Sequence, residues 1–185
     1  TDAYASFVAD PFLFFENNVW YMFFEVYRPG FDGAIAFATS ADGLTWSYQG
    51  LVLDEPFHLS YPLVFKYGNS HYMVPETSQI GEVRIYTATD FPFTWQFTST
   101  LVSGRPFVDP SIFRYSDTWW MFVGDTTGST LYLYYADQLM GPWIEHPASP
   151  IITNDSIRAR SGGRSFVYDG GKVIRIVQEG GSVYG

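Results

Sequence analysis

Apolar and aromatic residues recur along this chain in short stretches broken by turn residues. Four segments carry the same outline: Asp10–Glu25, Tyr61–Glu76, Asp109–Gly124 and Gly163–Gln178. Their first positions lie 51, 48 and 54 residues apart. In each, an apolar run meets a turn, and a second aromatic or β-branched run follows. The turns are Asn17-Asn18, Gly68-Asn69, Ser116-Asp117 and Asp169-Gly170-Gly171. This is the signature of a β-hairpin.

Two further strands follow in three of the units. Third strands are predicted over Ala34–Ser40, Glu82–Thr89 and Thr130–Ala136. Fourth strands are nucleated by Trp46, Trp95 and Trp143. Four antiparallel strands in about 50 residues match a β-propeller blade. No segment sustains a helical period of 3.6 residues. The predicted fold is all-β, with blades at about 8–50, 58–102, 107–148 and 158–185 of a single propeller domain. The last blade has two strands and the beginning of a third at Ser182–Gly185. A propeller closes its ring to protect strand edges. The chain is therefore expected to be part of a larger propeller, or to be completed by another copy. Either case predicts an open edge near residue 185 and association through it, or with an attached domain.

Composition narrows the function. Phe, Tyr and Trp supply 17, 14 and 6 of the 185 residues, suited to strand packing and to flat platforms for sugar rings. Asp and Glu outnumber Lys and Arg by 19 to 10, a net charge of −9. A nucleic-acid partner or an anionic membrane surface is disfavoured by that field. No apolar run reaches the ~18 residues of a membrane helix, and no signal-peptide pattern opens the chain. The chain also opens without Met, so removal of a segment before Thr1 is an expectation. Cys is absent, which excludes disulfides, thiolate metal sites and a Cys nucleophile. No His pair has zinc spacing, and there is no nucleotide-loop or nucleophile-elbow motif, so neither a metal nor a cofactor is expected. The acidity and aromatic content are compatible with an extracellular or secretory-pathway carbohydrate protein.

Candidate chemistry lies at one end of the hairpins. The first strand of a propeller blade lines the channel. The start of that strand and the end of the second meet at one mouth. The spacing sets Asp10 beside Glu25, Tyr61 beside Glu76, Asp109 beside Gly124-Asp125, and Gly163 beside Gln178. Five carboxylates, Asp10, Glu25, Glu76, Asp109 and Asp125, then converge. His58 leads into the second blade, and Arg158, Arg160 and Arg164 lead into the fourth. Convergent carboxylates push each other's pKa values apart, and glycoside hydrolysis uses two flanking the scissile bond. A structural reading stands beside each. Asp-Pro pairs cap turns. Glu25 could pair with Arg28, and His58 could serve packing alone.

Several motifs carry a family resemblance. Asp10-Pro11 before an aromatic hairpin, Ser40-x-Asp42-Gly43-x-x-Trp46 and Leu139-x-Gly141-Pro142-Trp143 resemble the five-bladed propellers of glycoside hydrolase family 43 and its invertase-like relatives. The runs His58–Pro62, Tyr72–Thr77, His146-Pro147, Ala159–Arg164, Gln178 and Tyr184-Gly185 are more closely similar to the N-terminal propeller-like domain of glucosamine inositolphosphorylceramide transferases. This resemblance implies five blades and carbohydrate work. Family 43 sites use an Asp base, an orienting Asp and a Glu acid at first-strand starts of successive blades. Here Tyr61 occupies the second such position and Asp109 the third, so that triad does not carry across.

The leading expectation is a glycoside-hydrolase-like domain. In it Asp10 is base or nucleophile, Glu76 is acid, and Asp109 orients or tunes. Glu25, His58, Tyr61, Asp125, Arg160, Arg164 and Gln178 bind the carbohydrate. The alternative is a non-catalytic glycan-binding domain attached to a glycosyltransferase or another carbohydrate enzyme. A protein-interaction propeller is a weaker third reading.

Overall fold

The computed structural model describes residues 5–179. Three four-stranded antiparallel sheets follow in chain order. The first holds β1 (Phe7–Glu16), β2 (Val19–Tyr27), β3 (Ala34–Ser40) and β4 (Ser47–Leu53). The second holds β5 (Ser60–Tyr67), β6 (Ser70–Thr77), β7 (Glu82–Asp90) and β8 (Thr94–Ser103). The third holds β9 (Phe107–Tyr115), β10 (Thr118–Asp125), β11 (Leu131–Ala136) and β12 (Ile144–Glu145). A fourth sheet is a short hairpin, β13 (Phe166–Tyr168) and β14 (Lys172–Ile174). The expected third strand at Ser182–Gly185 lies outside the described residues.

Each hairpin forms where its turn chemistry permits. Asn17 and Asn18 have φ of 52° and 60°, and Ser116 and Asp117 have 48° and 64°. Two successive positive-φ residues give the turn whose twist matches the flanking strands. The strand nucleated by Trp143 stops after two residues. Pro142 and Pro147 flank it, and proline donates nothing to a sheet ladder.

The first strand of every sheet is an edge strand, and these edges pack in succession, β1 on β5, β5 on β9, β9 on β13. That is the propeller arrangement of an all-β chain. Apolar side chains fill the spaces between sheets. Phe23, Phe37, Leu59, Val64, Met73 and Tyr86 form the layer between the first two sheets. Leu63, Val74, Ile85, Phe107, Met121 and Val123 form the next. Among the described residues, no helix is long and apolar enough to cross a membrane.

The inner strands share one irregularity. The ladder slips between Ala9 and Phe12, between Ser60 and Leu63, and opposite Phe122/Gly124 in the third sheet. At each slip stands a residue followed by proline: Asp10-Pro11, Tyr61-Pro62 and Asp109-Pro110. Asp10, Tyr61 and Asp109 have φ of 52°, 48° and 50°. A non-glycine residue in that region costs about 1 kcal/mol or more. A bulge re-aims its side chain out of the strand alternation. Three bulges thus re-aim three side chains, and Gly163 holds the matching place in the fourth sequence repeat.

Candidate functional site

The bulges shift the expected pairing by one residue. Glu25 lies opposite Ala9, Glu76 opposite Ser60, and Gly124 opposite Val108. The third sheet therefore has glycine where the first two have a buried glutamate. Asp125 comes one residue later, and successive side chains in a strand point to opposite faces. Its carboxylate accepts a hydrogen bond from the Thr127 hydroxyl at 2.7 Å and lines neither of the two cavities at the channel.

One cavity of about 500 Å³ opens between the first two sheets. Phe7, Val8, Ala9, Asp10, Glu25, His58, Ser60, Glu76 and Arg160 line it. A second, of about 580 Å³, lies between the first sheet and the fourth hairpin. Asp10, Tyr61, Arg164, Gln178 and Gly163 contribute to its wall. Asp10 is common to both. Eight of the ten expected site residues line these cavities, Asp109 is buried and bonded to Arg160 and Glu76, and Asp125 is set apart.

Hydrogen bonds tie successive blades together through these residues. The Tyr61 amide donates to the Asp10 carboxylate at 3.3 Å, and the Asp109 amide donates to Glu76 Oε2 at 3.0 Å. The other Glu76 oxygen accepts from the Ser78 hydroxyl at 2.7 Å. The amides of the second and third bulges are therefore capped by a carboxylate of the preceding blade. The Tyr61 hydroxyl reaches across to the Gly163 carbonyl at 2.9 Å, which Ser111 also approaches at 3.4 Å. The Arg164 guanidinium donates to the Val64 carbonyl. Arg160 Nε donates to Asp109 Oδ2 at 2.5 Å, and Asp109 is 2% exposed.

Burial dominates the electrostatics. It raises the Asp109 carboxyl, with Glu76 adding to the rise and Arg160 opposing it. It raises Asp10, with Asp109 adding and the Tyr61 amide opposing. Glu25 is pushed up to about 7, first by burial and then by Asp10 and Glu76. Burial lowers His58, against the pull of Asp32 and Asp10, and holds the Tyr61 phenol above its ordinary value. Burial also lowers Arg164.

His58 owes its pose to residues with no motif of their own. The Gly33 amide donates to Nδ1 at 3.1 Å, and the His58 amide donates to the Gln79 side-chain oxygen at 2.5 Å. An Nδ1 that accepts cannot carry a proton, so the ring is neutral with hydrogen on Nε2. Nε2 faces Glu25 Oε1 at 3.4 Å without hydrogen-bond alignment, and among the described residues Oε1 has no hydrogen-bond partner. Gly33 is required by space. A Cβ there would stand 2.6 Å from His58 Cε1 and 2.7 Å from the Leu59 carbonyl oxygen. Glu25 does not pair with Arg28, which binds Asp54 at 2.8 Å instead.

Comparison with known proteins places this geometry. The B. ovatus xyloglucan PUL protein GH43B superposes with a TM-score of 0.70 at 13% identity, over 91% of this chain and 35% of that one. BlXynB of Bacillus licheniformis, also of glycoside hydrolase family 43, gives 0.65 at 13% identity, over 91% of this chain and 42% of that one. These likenesses show the family 43 propeller fold. At the sequence level, "Glucosamine inositolphosphorylceramide transferase 1" of Oryza sativa subsp. japonica is 40% identical over 98% of this chain. The chain spans 25% of that relative's length. All of residues 1–185 match the family described as "Glucosamine inositolphosphorylceramide transferase 1, N-terminal". The chain therefore belongs to the family of N-terminal domains of glucosamine inositolphosphorylceramide transferase 1.

Proposed function

We propose that this domain is a glycan-recognition propeller that serves a glycosyltransferase without cleaving glycosidic bonds itself. One observation carries the reading. The carboxylates a hydrolase would use for acid catalysis and orientation are engaged within the protein. Glu76 accepts the Asp109 amide on one oxygen and the Ser78 hydroxyl on the other. Asp109 is buried against Arg160. Groups so engaged fix the blades relative to one another and are poorly placed to exchange protons with a substrate. The remaining wall, Asp10, Glu25, His58 and Arg160, offers acceptors and donors to sugar hydroxyls. Phe7 adds a flat apolar ring. A concave site with a few convergent polar groups suits a small glycan. The relatives are named as transferases, which fits a binding domain beside a catalytic one.

A second reading is supported by Glu25. A carboxyl held at about 7 next to Asp10 has the acid-and-base pairing of a glycosidase. Product analysis by mass spectrometry separates the two. The full chain is incubated with mixed oligosaccharides and glycosides, beside Glu76→Gln and Glu25→Gln. The recognition reading expects no new products from any of the three. Products that vanish in Glu25→Gln would overturn it and make Glu25 the acid.

A further inference from the structure

We propose that His58 is an acid-released latch: its neutral ring holds the loop joining β2 to β3, and a proton on Nδ1 frees that loop. The latch stands on its own geometry, and only its effect on a ligand rests on the glycan-recognition reading. Gly33 ends the β2–β3 connection, and His58 lies in the connection leading into β5, so the two belong to different blades. The Gly33 amide donates to His58 Nδ1 at 3.1 Å. The Leu59 amide donates to the Gly33 carbonyl at 2.9 Å, and Gln79 holds the His58 amide. The loop lies against the ring, since a Cβ on Gly33 would stand 2.6 Å from Cε1. An imidazolium carries hydrogen on both nitrogens and accepts no hydrogen bond. Protonation at Nδ1 therefore sets one donor against another and breaks the Gly33 bond.

The surrounding charges make the closed pose a poor seat for an imidazolium. Glu25 from β2 faces the other nitrogen at 3.4 Å. Burial, Asp10 and Glu76 of β6 push Glu25 up to about 7, so below neutral pH it gains a proton and offers Nε2 no charge. Arg160 shares the cavity wall and is bonded to Asp109. Burial resists a charge on His58, while Asp32 of the loop and Asp10 of β1 draw one. The His58 side chain is 31% exposed, so protons reach it. Only the open form then takes up the proton readily, and opening is favoured as pH falls below the ordinary histidine value. His58 lines the first cavity, so its release rebuilds the wall that would meet a glycan.

Hydrogen exchange of the full chain, read by NMR at pH 7 and pH 5, tests the latch. The Gly33 protection factor is expected to fall about tenfold or more, as an open-state imidazole titrating near 6.5 gains its proton. The amides of Met73 and Ile85 in the core strands should keep theirs. The fall should vanish in His58→Gln, because glutamine does not titrate. A Gly33 protection factor equal at the two pH values, a fall shared equally by Met73 and Ile85, or a fall undiminished in His58→Gln would overturn the latch. Imidazole nitrogen shifts of the wild type give a second check: a proton on Nδ1 at pH 7 would overturn it whatever the variant does. Saturation transfer to a mixed oligosaccharide pool is expected to weaken from pH 7 to pH 5. Undiminished transfer alongside the Gly33 change would overturn the coupling to a ligand. No transfer at either pH would overturn the glycan-recognition reading and leave the latch standing.

Discussion

Glu25→Gln removes an ionisable group that folding holds in the wrong protonation state at neutral pH. In the unfolded chain the carboxyl titrates near 4.5, and in the fold it is pushed up to about 7 by burial, Asp10 and Glu76. The unfolded state therefore binds fewer protons than the native state between those values. Stability contributed by this group is fully present below about pH 4.5 and is lost as pH rises through about 7. At 1.36 kcal/mol per pKa unit, the difference at pH 8 is about 3 kcal/mol. Glutamine keeps the shape and never ionises. The variant should match the wild type in urea denaturation at pH 4.5 and exceed it by about 2–3 kcal/mol at pH 8. For a chain of this size that is a rise of about 5–10 °C in melting temperature at pH 8. An unchanged difference between the two proteins from pH 4.5 to pH 8 would refute the reasoning.

Other substitutions probe the blade contacts. Glu76→Ala orphans the Asp109 amide and should cost about 1–3 kcal/mol in denaturant unfolding, with Glu76→Gln costing less because one acceptor survives. Arg160→Ala leaves Asp109 buried without its cation. A loss of about 3–5 kcal/mol is expected at pH 8, and a smaller one at pH 5, where Asp109 is protonated. Gly33→Ala drives a methyl into His58 and the Leu59 carbonyl and should cost about 1–3 kcal/mol. The same variant should abolish sugar binding in calorimetry, since His58 and Glu25 must both shift. Tyr61→Phe loses the bond to the Gly163 carbonyl and should cost about 1 kcal/mol by thermal melting.

The hairpins were legible because local chemistry decides them. Alternating aromatics, Asn17-Asn18 and Ser116-Asp117 specify strand, turn and strand within a few residues. The third strand expected over Ala34–Ser40 forms over those residues. The same spacing gave the site only to within one residue. A bulge at each X-Pro pair offsets the register, and this separates Asp125 from the other carboxylates. Its signal was present in the repeated proline after Asp10, Tyr61 and Asp109, which a sheet takes at an edge or a bulge. Gly33, Ser78 and Gln79 were not foreseen. Gly33 and Gln79 reach His58 from more than 20 residues away, and Ser78 bonds Glu76 from two residues on with no motif to mark it. The fourth hairpin is shorter than its repeat suggests, with three residues in each strand.

Saturation-transfer NMR of the full chain with a mixed oligosaccharide pool, with products monitored in the same tube, tests the central claim most directly. The account predicts saturable transfer to at least one glycan, reduced in Glu25→Gln, and with no change in the glycan over time. Absence of transfer to any glycan, or steady conversion of a bound one into shorter products, would contradict it.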